Sequence, residues 1–300
     1  MKTVKGLHEK MGTFENANTS FHQAARCKRY TNEVLAFSMV KEEELLRATE
    51  EIQNLTYRQG EYKIFKVFEP KERLIMALPF YDRVVQHMIC NAIQPVFENG
   101  FYYHSYACRS GKGMHAASDT LYQWMYETEV KQGLRMYAFK GDISKYFASI
   151  PHDKLKDENR RYIGDKKALM LMDDIIDHNG ILPDGVGIPV GNLTSQLFAN
   201  VYGNKLDKFC KHVLHIPYFV RYMDDFIILS DDLEQLKEWV KRIEEFLENE
   251  MLLHINPKST ILYAGNGIDF CGYIHYADHK KVRKSSICLL YTSDAADDKA

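Results

Sequence analysis

Residues 219–229 read FVRYMDDFIIL, two short apolar runs on either side of the adjacent carboxylates Asp224 and Asp225. Runs of this length, rich in aromatic and β-branched residues, are strand-like, and the polar pair between them marks a hairpin tip. Two neighbouring carboxylates in so apolar a setting are costly unless a positive charge compensates them. Two magnesium ions are the expected compensation, because carboxylates and substrate phosphates are their usual ligands. The alternative is a solvent-exposed turn, which does not call for such apolar flanks.

A third carboxylate lies upstream, Asp142 in YAFKGDISKYFASI (137–150). It closes the apolar strand expected over 135–143 and precedes a turn into a helix, which it could also cap. Three acids on neighbouring strand ends are what two-metal phosphoryl transfer requires. One ion activates a 3′-hydroxyl for attack on an α-phosphate, and the other neutralises the triphosphate and the departing pyrophosphate.

The rest of the chain suits such an enzyme. Its 300 residues are 45% hydrophobic and 12% aromatic, enough for a packed core in one large or two modest domains. Six scattered cysteines form no C-x-x-C pair, which argues against a zinc site or a disulfide framework. No signal peptide and no membrane span are read from the sequence, so a soluble cytoplasmic protein is expected. The net charge of −2 does not advertise a nucleic-acid binder. The average hides an asymmetry: residues 1–30 carry six Lys/Arg against two acids, and 221–257 carry four against ten.

Helical and strand-like patterns interleave, which indicates an α+β fold. Apolar spacing predicts an amphipathic helix over 231–252, capped by Asp231 and Glu234. It also predicts strands over 135–143 and 218–229, a buried helix over 80–97 broken before Pro95, and a helix over 193–209 opened by the Gly187–Gly191 loop.

Six blocks in order over residues 26–276 resemble a reverse transcriptase. EPKERLIMALPFYDRVVQHMICNAIQPVFENGFYYHSYACRSGKG (69–113) is similar to the fingers blocks of bacterial members, and GDISKYFASI to the first palm acid. GIPVGNLTSQLFANVYGNKLD (187–207) resembles the nucleotide-pocket loop and helix, RYMDDF the second pair of acids, and LLHINPKST and IDFCGYIH the two following palm blocks. The resemblance implies a right-hand polymerase fold whose antiparallel palm sheet packs on helices. It divides the chain into an N-terminal segment (1–50), fingers (51–135), a palm (136–276, with a fingers-associated insert at about 155–185) and the start of a thumb (277–287).

The resemblance also assigns roles. Asp142 and Asp224 bind the two magnesium ions, with Asp225 in support and the Ile143 carbonyl an additional ligand. Phe147 falls at the steric gate that disfavours a ribose 2′-hydroxyl; otherwise it is a core aromatic. Lys71 and Arg73, helped by Lys66, grip the triphosphate, or else form an ordinary charged hairpin. Arg109 and Lys112 meet template or nucleotide phosphates. Lys258 assists pyrophosphate departure or caps a turn.

The pocket loop carries Val190, Gly191 and Gln196 where most reverse transcriptases have Q-G-x-x-x-S-P. This departure, with KGLHEK near the N-terminus and ACRSGKGMHAA, resembles the enzymes of diversity-generating retroelements. It implies error-prone copying of an RNA template from a DNA or RNA primer and deoxynucleoside triphosphates, with help from a small basic accessory protein and no membrane. Group II intron, retron and phage-defence enzymes remain alternatives, as does a catalytically idle RNA-binding scaffold. Basic thumb helices are expected after IDFCGYIH, and Lys280, Lys281, Arg283 and Lys284 hint at their beginning. CLLYTSDAADD (288–298) resembles a translated sequencing adapter, so residues 288–300 are expected to be a non-native tail on a chain cut short of its thumb.

Overall fold

The computed structural model describes residues 3–68 and 72–284; Lys71 and the 288–300 tail lie outside the described residues. In chain order the elements are helices α1 (Leu7–Met11), α2 (Phe14–Ala24), α3 (Asn32–Met39) and α4 (Lys41–Gln53), strands β1 (Lys63–Val67) and β2 (Arg73–Ala77), helices α5 (Phe80–Glu98) and α6 (Met114–Met125), and strand β3 (Tyr137–Asp142). Helices α7 (Tyr146–Ser149), α8 (His152–Tyr162), α9 (Lys166–Asp177) and α10 (Leu193–Lys208) follow. Strands β4 (Tyr218–Tyr222) and β5 (Asp225–Ser230), helix α11 (Leu233–Glu250) and strands β6 (Thr260–Tyr263), β7 (Ile268–Phe270), β8 (Tyr273–His275) and β9 (Lys280–Val282) come next among the described residues. The chain divides into two compact units, Met1–Phe101 with Lys145–Tyr202, and Tyr102–Ser144 with Gly203–Ala300.

The first unit is mainly helical. Helix α5 buries Val85, Ile89 and Ile93 at four-residue spacing. Phe80 at its start meets Phe37 and Phe21, with ring centroids 5.0 and 6.0 Å away. The helix does not break before Pro95, as the sequence predicted; it runs through to Glu98. Pro95 sits in the last turn and is exposed, so the carbonyl it leaves without a helical donor can face water, while buried Ile93 and Phe97 hold the turn in place. The other prominent feature is the antiparallel hairpin β1–β2, in which Lys66 opposes Leu74 and Val67 opposes Arg73.

The second unit is built on a four-stranded antiparallel sheet of order β4-β5-β3-β6. Side chains alternate across it. On one face Ala138, Val220, Ile227 and Leu229 form a core with Leu121 and Met125 of α6. On the other, Phe139 and Phe219 flank Phe226 at 5.8 and 6.0 Å, and α11 contacts β3 and β5. Helix α11 is capped by Asp232, whose side chain accepts from the N–H groups of Glu234 and Gln235. The predicted cap, Asp231, is one residue too early, because a cap serves the second and third N–H groups of the helix and Leu233 is the first helical residue. Lys280 and Lys281, expected to begin a helical thumb, form β9 of a three-stranded sheet β7-β8-β9. Two pairings favour that strand over a helix: Arg283 ion-pairs with Asp269, and its N–H bonds the Gly272 carbonyl at 2.9 Å.

Candidate active site

Sheet register places the acids. Asp142, the last residue of β3, lies directly opposite Asp225, the first residue of β5, and Asp225 in turn opposes Tyr222 across the β4–β5 turn. Asp224 occupies that turn, and its carbonyl accepts from the Ile143 N–H at 3.2 Å, which ties the turn to the end of β3. Asp142, Asp225 and Lys140 share the face that further along holds Ala138, Ile227 and Leu229. The neighbouring glycine is dictated by packing: a Cβ on Gly141 would stand 2.3 Å from the Phe226 ring.

These carboxylates repel one another. Asp225 is pushed up to about 6, first by burial, then by the charges of Asp224 and Asp142, with Lys140 pulling the other way. A hydrogen bond to Asp142 adds to the rise. A divalent cation would remove the repulsion and favour the ionised forms, so the donor chemistry fits a hard, oxygen-ligated metal. Among the described residues no three carboxylate, imidazole or thiol groups are arranged as a metal-ligand set. One Asp142 oxygen is occupied instead by Asn256, whose amide donates to it at 2.5 Å.

The segment 256–259 holds Asp142 in place. The Asn256 N–H donates to the Asp142 carbonyl at 2.7 Å, and the Asp142 N–H donates to the Ser259 hydroxyl at 3.0 Å. Asn256 Oδ1 also accepts from the Lys258 N–H at 3.0 Å, and the Lys258 side chain, expected to assist pyrophosphate departure or to cap a turn, is exposed. Sequence reasoning singled out Lys258 and passed over Asn256 and Ser259. An N-P-x-S turn beginning on a side chain that can bond back to the chain was the available signal.

The turn at the hairpin tip is strained. Met223 adopts φ 60°, a left-handed conformation that costs a non-glycine residue about 1–2 kcal/mol. Its carbonyl accepts from Arg221 Nη1 at 2.9 Å. Arg221 is only 1% exposed and forks onto Asp207 of α10, with Nε and Nη2 donating to its two carboxylate oxygens at 2.6 and 2.7 Å. Neither residue was a sequence candidate, because the pairing links positions fourteen residues apart on a helix and a strand.

The remaining predicted residues fall into two groups. In the second unit, Arg109 Nη1 donates to the carbonyls of Tyr102 and Ser105, both at 2.7 Å. Lys112 donates to the Tyr103 carbonyl at 2.8 Å and lies 3.6 Å above the Tyr103 ring. Both cations shape the 102–113 loop through these bonds. In the first unit, Lys66 pairs with Glu72 at 2.5 Å on the β1–β2 hairpin, and Arg73 is exposed at the start of β2. The Val190 carbonyl accepts from the Met76 N–H at 3.1 Å, which fastens the pocket loop to β2. Gly191 is required there: it adopts φ +117°, and a Cβ would lie 3.2 Å from Ile75. Phe147 on α7 and Gln196 on α10 are half-buried.

Comparison with known proteins identifies the family and the fold. Residues 66–275 match the family model described as reverse transcriptase (RNA-dependent DNA polymerase). Protein YkfC of Escherichia coli is 25% identical over an alignment covering 68% of this chain and 62% of that protein. A 91 kDa protein in the cob intron of Schizosaccharomyces pombe is 29% identical, covering 44% of this chain and 16% of its own length. The chain thus spans less than two thirds of these relatives. The telomerase of Candida albicans, solved with a TWJ fragment of telomeric RNA, superposes with a TM-score of 0.53 over 84% of this chain and 50% of that one, at 12% identity. The fold is therefore α+β of the right-hand polymerase type, an antiparallel palm sheet packed on helices. The family match spans 210 of the 300 residues, and the chain belongs to the reverse transcriptase (RNA-dependent DNA polymerase) family.

Proposed function

We propose that this chain is the catalytic part of an RNA-directed DNA polymerase, extending a DNA or RNA primer on an RNA template with deoxynucleoside triphosphates. The observation that carries this reading is the register pairing of Asp142 with Asp225, with Asp224 on the adjoining turn. Asp142 and Asp224, supported by Asp225 and the Ile143 carbonyl, are assigned to two magnesium ions. When bound, these would activate the primer hydroxyl and neutralise the triphosphate. The protein's own part is to hold the acids in place: Asn256 and Ser259 fix Asp142, and the Ile143 N–H fixes the turn. Nucleotide binding is assigned to Lys66, Lys71, Arg73, Phe147, Val190, Gly191, Gln196 and Lys258, and template contact to Arg109 and Lys112. The sequence labels of fingers for 51–135 and palm for 136–276 are kept as functional assignments, although residues 102–135 fall in the same compact unit as the palm strands. Magnesium-dependent extension of a primed RNA, lost in Asp224→Ala, tests the reading and separates an enzyme from an idle RNA-binding scaffold.

Within the family we assign the chain to the error-prone type found in diversity-generating retroelements, served by a small basic accessory protein. Val190 and Gln196 support this: an aliphatic side chain cannot hydrogen-bond a nucleotide, so it checks base-pair geometry less strictly than the amide usual at that position. Val190→Gln is expected to lower misincorporation opposite template adenine, as read by sequencing the cDNA, and an unchanged adenine error rate removes the assignment. A second reading, an intron-encoded reverse transcriptase, is favoured by the cob-intron relative in Schizosaccharomyces pombe.

A further inference from the structure

We propose that Arg221 is a positioning residue, whose guanidinium clamps the Met223 carbonyl and thereby sets how Asp224 and Asp225 are presented. The inference deepens the polymerase reading and rests on it.

Arg221 is fixed from both sides. Its main chain is bonded to the 104–106 segment: its N–H donates to the His104 carbonyl and its carbonyl accepts from the Tyr106 N–H, each at 3.0 Å. Its side chain turns back along the chain. The fork on Asp207 aligns the guanidinium, Nη2 also donates to the Ser105 hydroxyl at 3.0 Å, and Nη1 is left directed at the carbonyl of Met223, two residues ahead. Met223 is the residue with the left-handed backbone, immediately before the two acids. A hydrogen bond to its carbonyl resists rotation of the Met223–Asp224 peptide, the unit that orients Asp224.

The chemistry requires arginine. A planar fork can bind a carboxylate through one edge and still aim a donor elsewhere, whereas an ammonium has no fixed edge. Arg221 is paired with buried Asp207, and the cation that lowers Asp225 is Lys140. The effect of Arg221 on the acidic cluster therefore runs through the backbone. A structural ion pair alone would explain the Asp207 contact. It would not explain the bond to the single strained residue of the turn.

The test separates these roles. Arg221→Met combined with Asp207→Leu removes both buried charges together, which leaves neither stranded, and such replacements are often neutral for stability. Arg221→Lys keeps the charge and loses the fork. Each full-length variant is melted, its Mn2+ affinity is measured by titration, and primer extension is followed for kcat and nucleotide KM. Both variants are expected to bind Mn2+ about tenfold more weakly than wild type, in line with loss of other groups that orient metal ligands. In each, kcat falls while KM holds. Met223→Gly, which adopts the left-handed conformation freely, is expected to recover part of the loss in Arg221→Lys. Wild-type Mn2+ affinity in a folded double variant, or in Arg221→Lys, overturns the inference and leaves the polymerase reading intact. Wild-type protein that binds Mn2+ no better than Asp224→Ala overturns the metal-site reading, and this inference with it.

Discussion

Asp225→Asn should stabilise the metal-free protein while abolishing its proposed chemistry. Asp225 is raised from 3.8 to about 6 by burial and by Asp224 and Asp142. The sign follows from linkage. A carboxyl whose folded pKa lies above its unfolded value binds its proton more tightly when folded, so stability falls as pH rises from about 4 to about 6 and the full cost applies above that. A shift of about two pKa units corresponds to about 3 kcal/mol at neutral pH. Asparagine preserves the shape and carries no charge. In EDTA at pH 7.5 the variant is expected to be about 2–3 kcal/mol more stable, a rise in Tm of roughly 4–10 °C for a unit of this size. At pH 5 the gain should shrink by about half, because wild-type Asp225 is then largely protonated. Adding Mg2+ should raise the wild-type Tm more than that of the variant. Thermal melts of both proteins at two pH values, with and without metal, provide the measurement. No gain in EDTA at pH 7.5, or a gain that does not vary with pH, refutes the claim that burial and repulsion by Asp224 and Asp142 raise Asp225 in the metal-free site.

Gly141→Ala places a methyl against the Phe226 ring and should cost about 1–3 kcal/mol in urea unfolding, with Phe226→Leu in the same chain restoring part of it. Equal stability of Gly141→Ala and wild type would show that the ring is free to move. Asn256→Ala removes the 2.5 Å bond to the Asp142 carboxylate and should lower Mn2+ affinity about tenfold, with little change in Tm. Unaltered affinity would mean that Asp142 needs no such support.

The acid-tipped hairpin and the strand that ends in the third acid were legible from sequence because they depend on local pattern. Apolar runs around Asp224-Asp225 and before Asp142 determine the strands, and antiparallel pairing then brings their ends together. What escaped notice depends on distant partners. Asn256 reaches back 114 positions to Asp142, and nothing in N-P-K-S-T alone says which carboxylate it will meet. The Arg221–Asp207 fork joins a strand to a helix whose packing only tertiary structure sets. Pro95 and Asp231 were misread for a different reason. Tertiary burial of Ile93 and Phe97 outweighed the local preference against proline, and a cap motif with two adjacent aspartates left the helix start ambiguous by one residue. The basic residues at 280–283 looked like a helix surface, yet pairing with β8 and with Asp269 made them a strand and its flank.

The central claim, that Asp142, Asp224 and Asp225 form the metal-dependent centre of an RNA-directed DNA polymerase, is tested most directly by primer extension on an RNA template with purified wild-type and Asp224→Ala protein. Magnesium-dependent DNA synthesis by wild type and none by the variant is the expected result. Equal synthesis by the two proteins, or synthesis that persists in EDTA, would contradict the account.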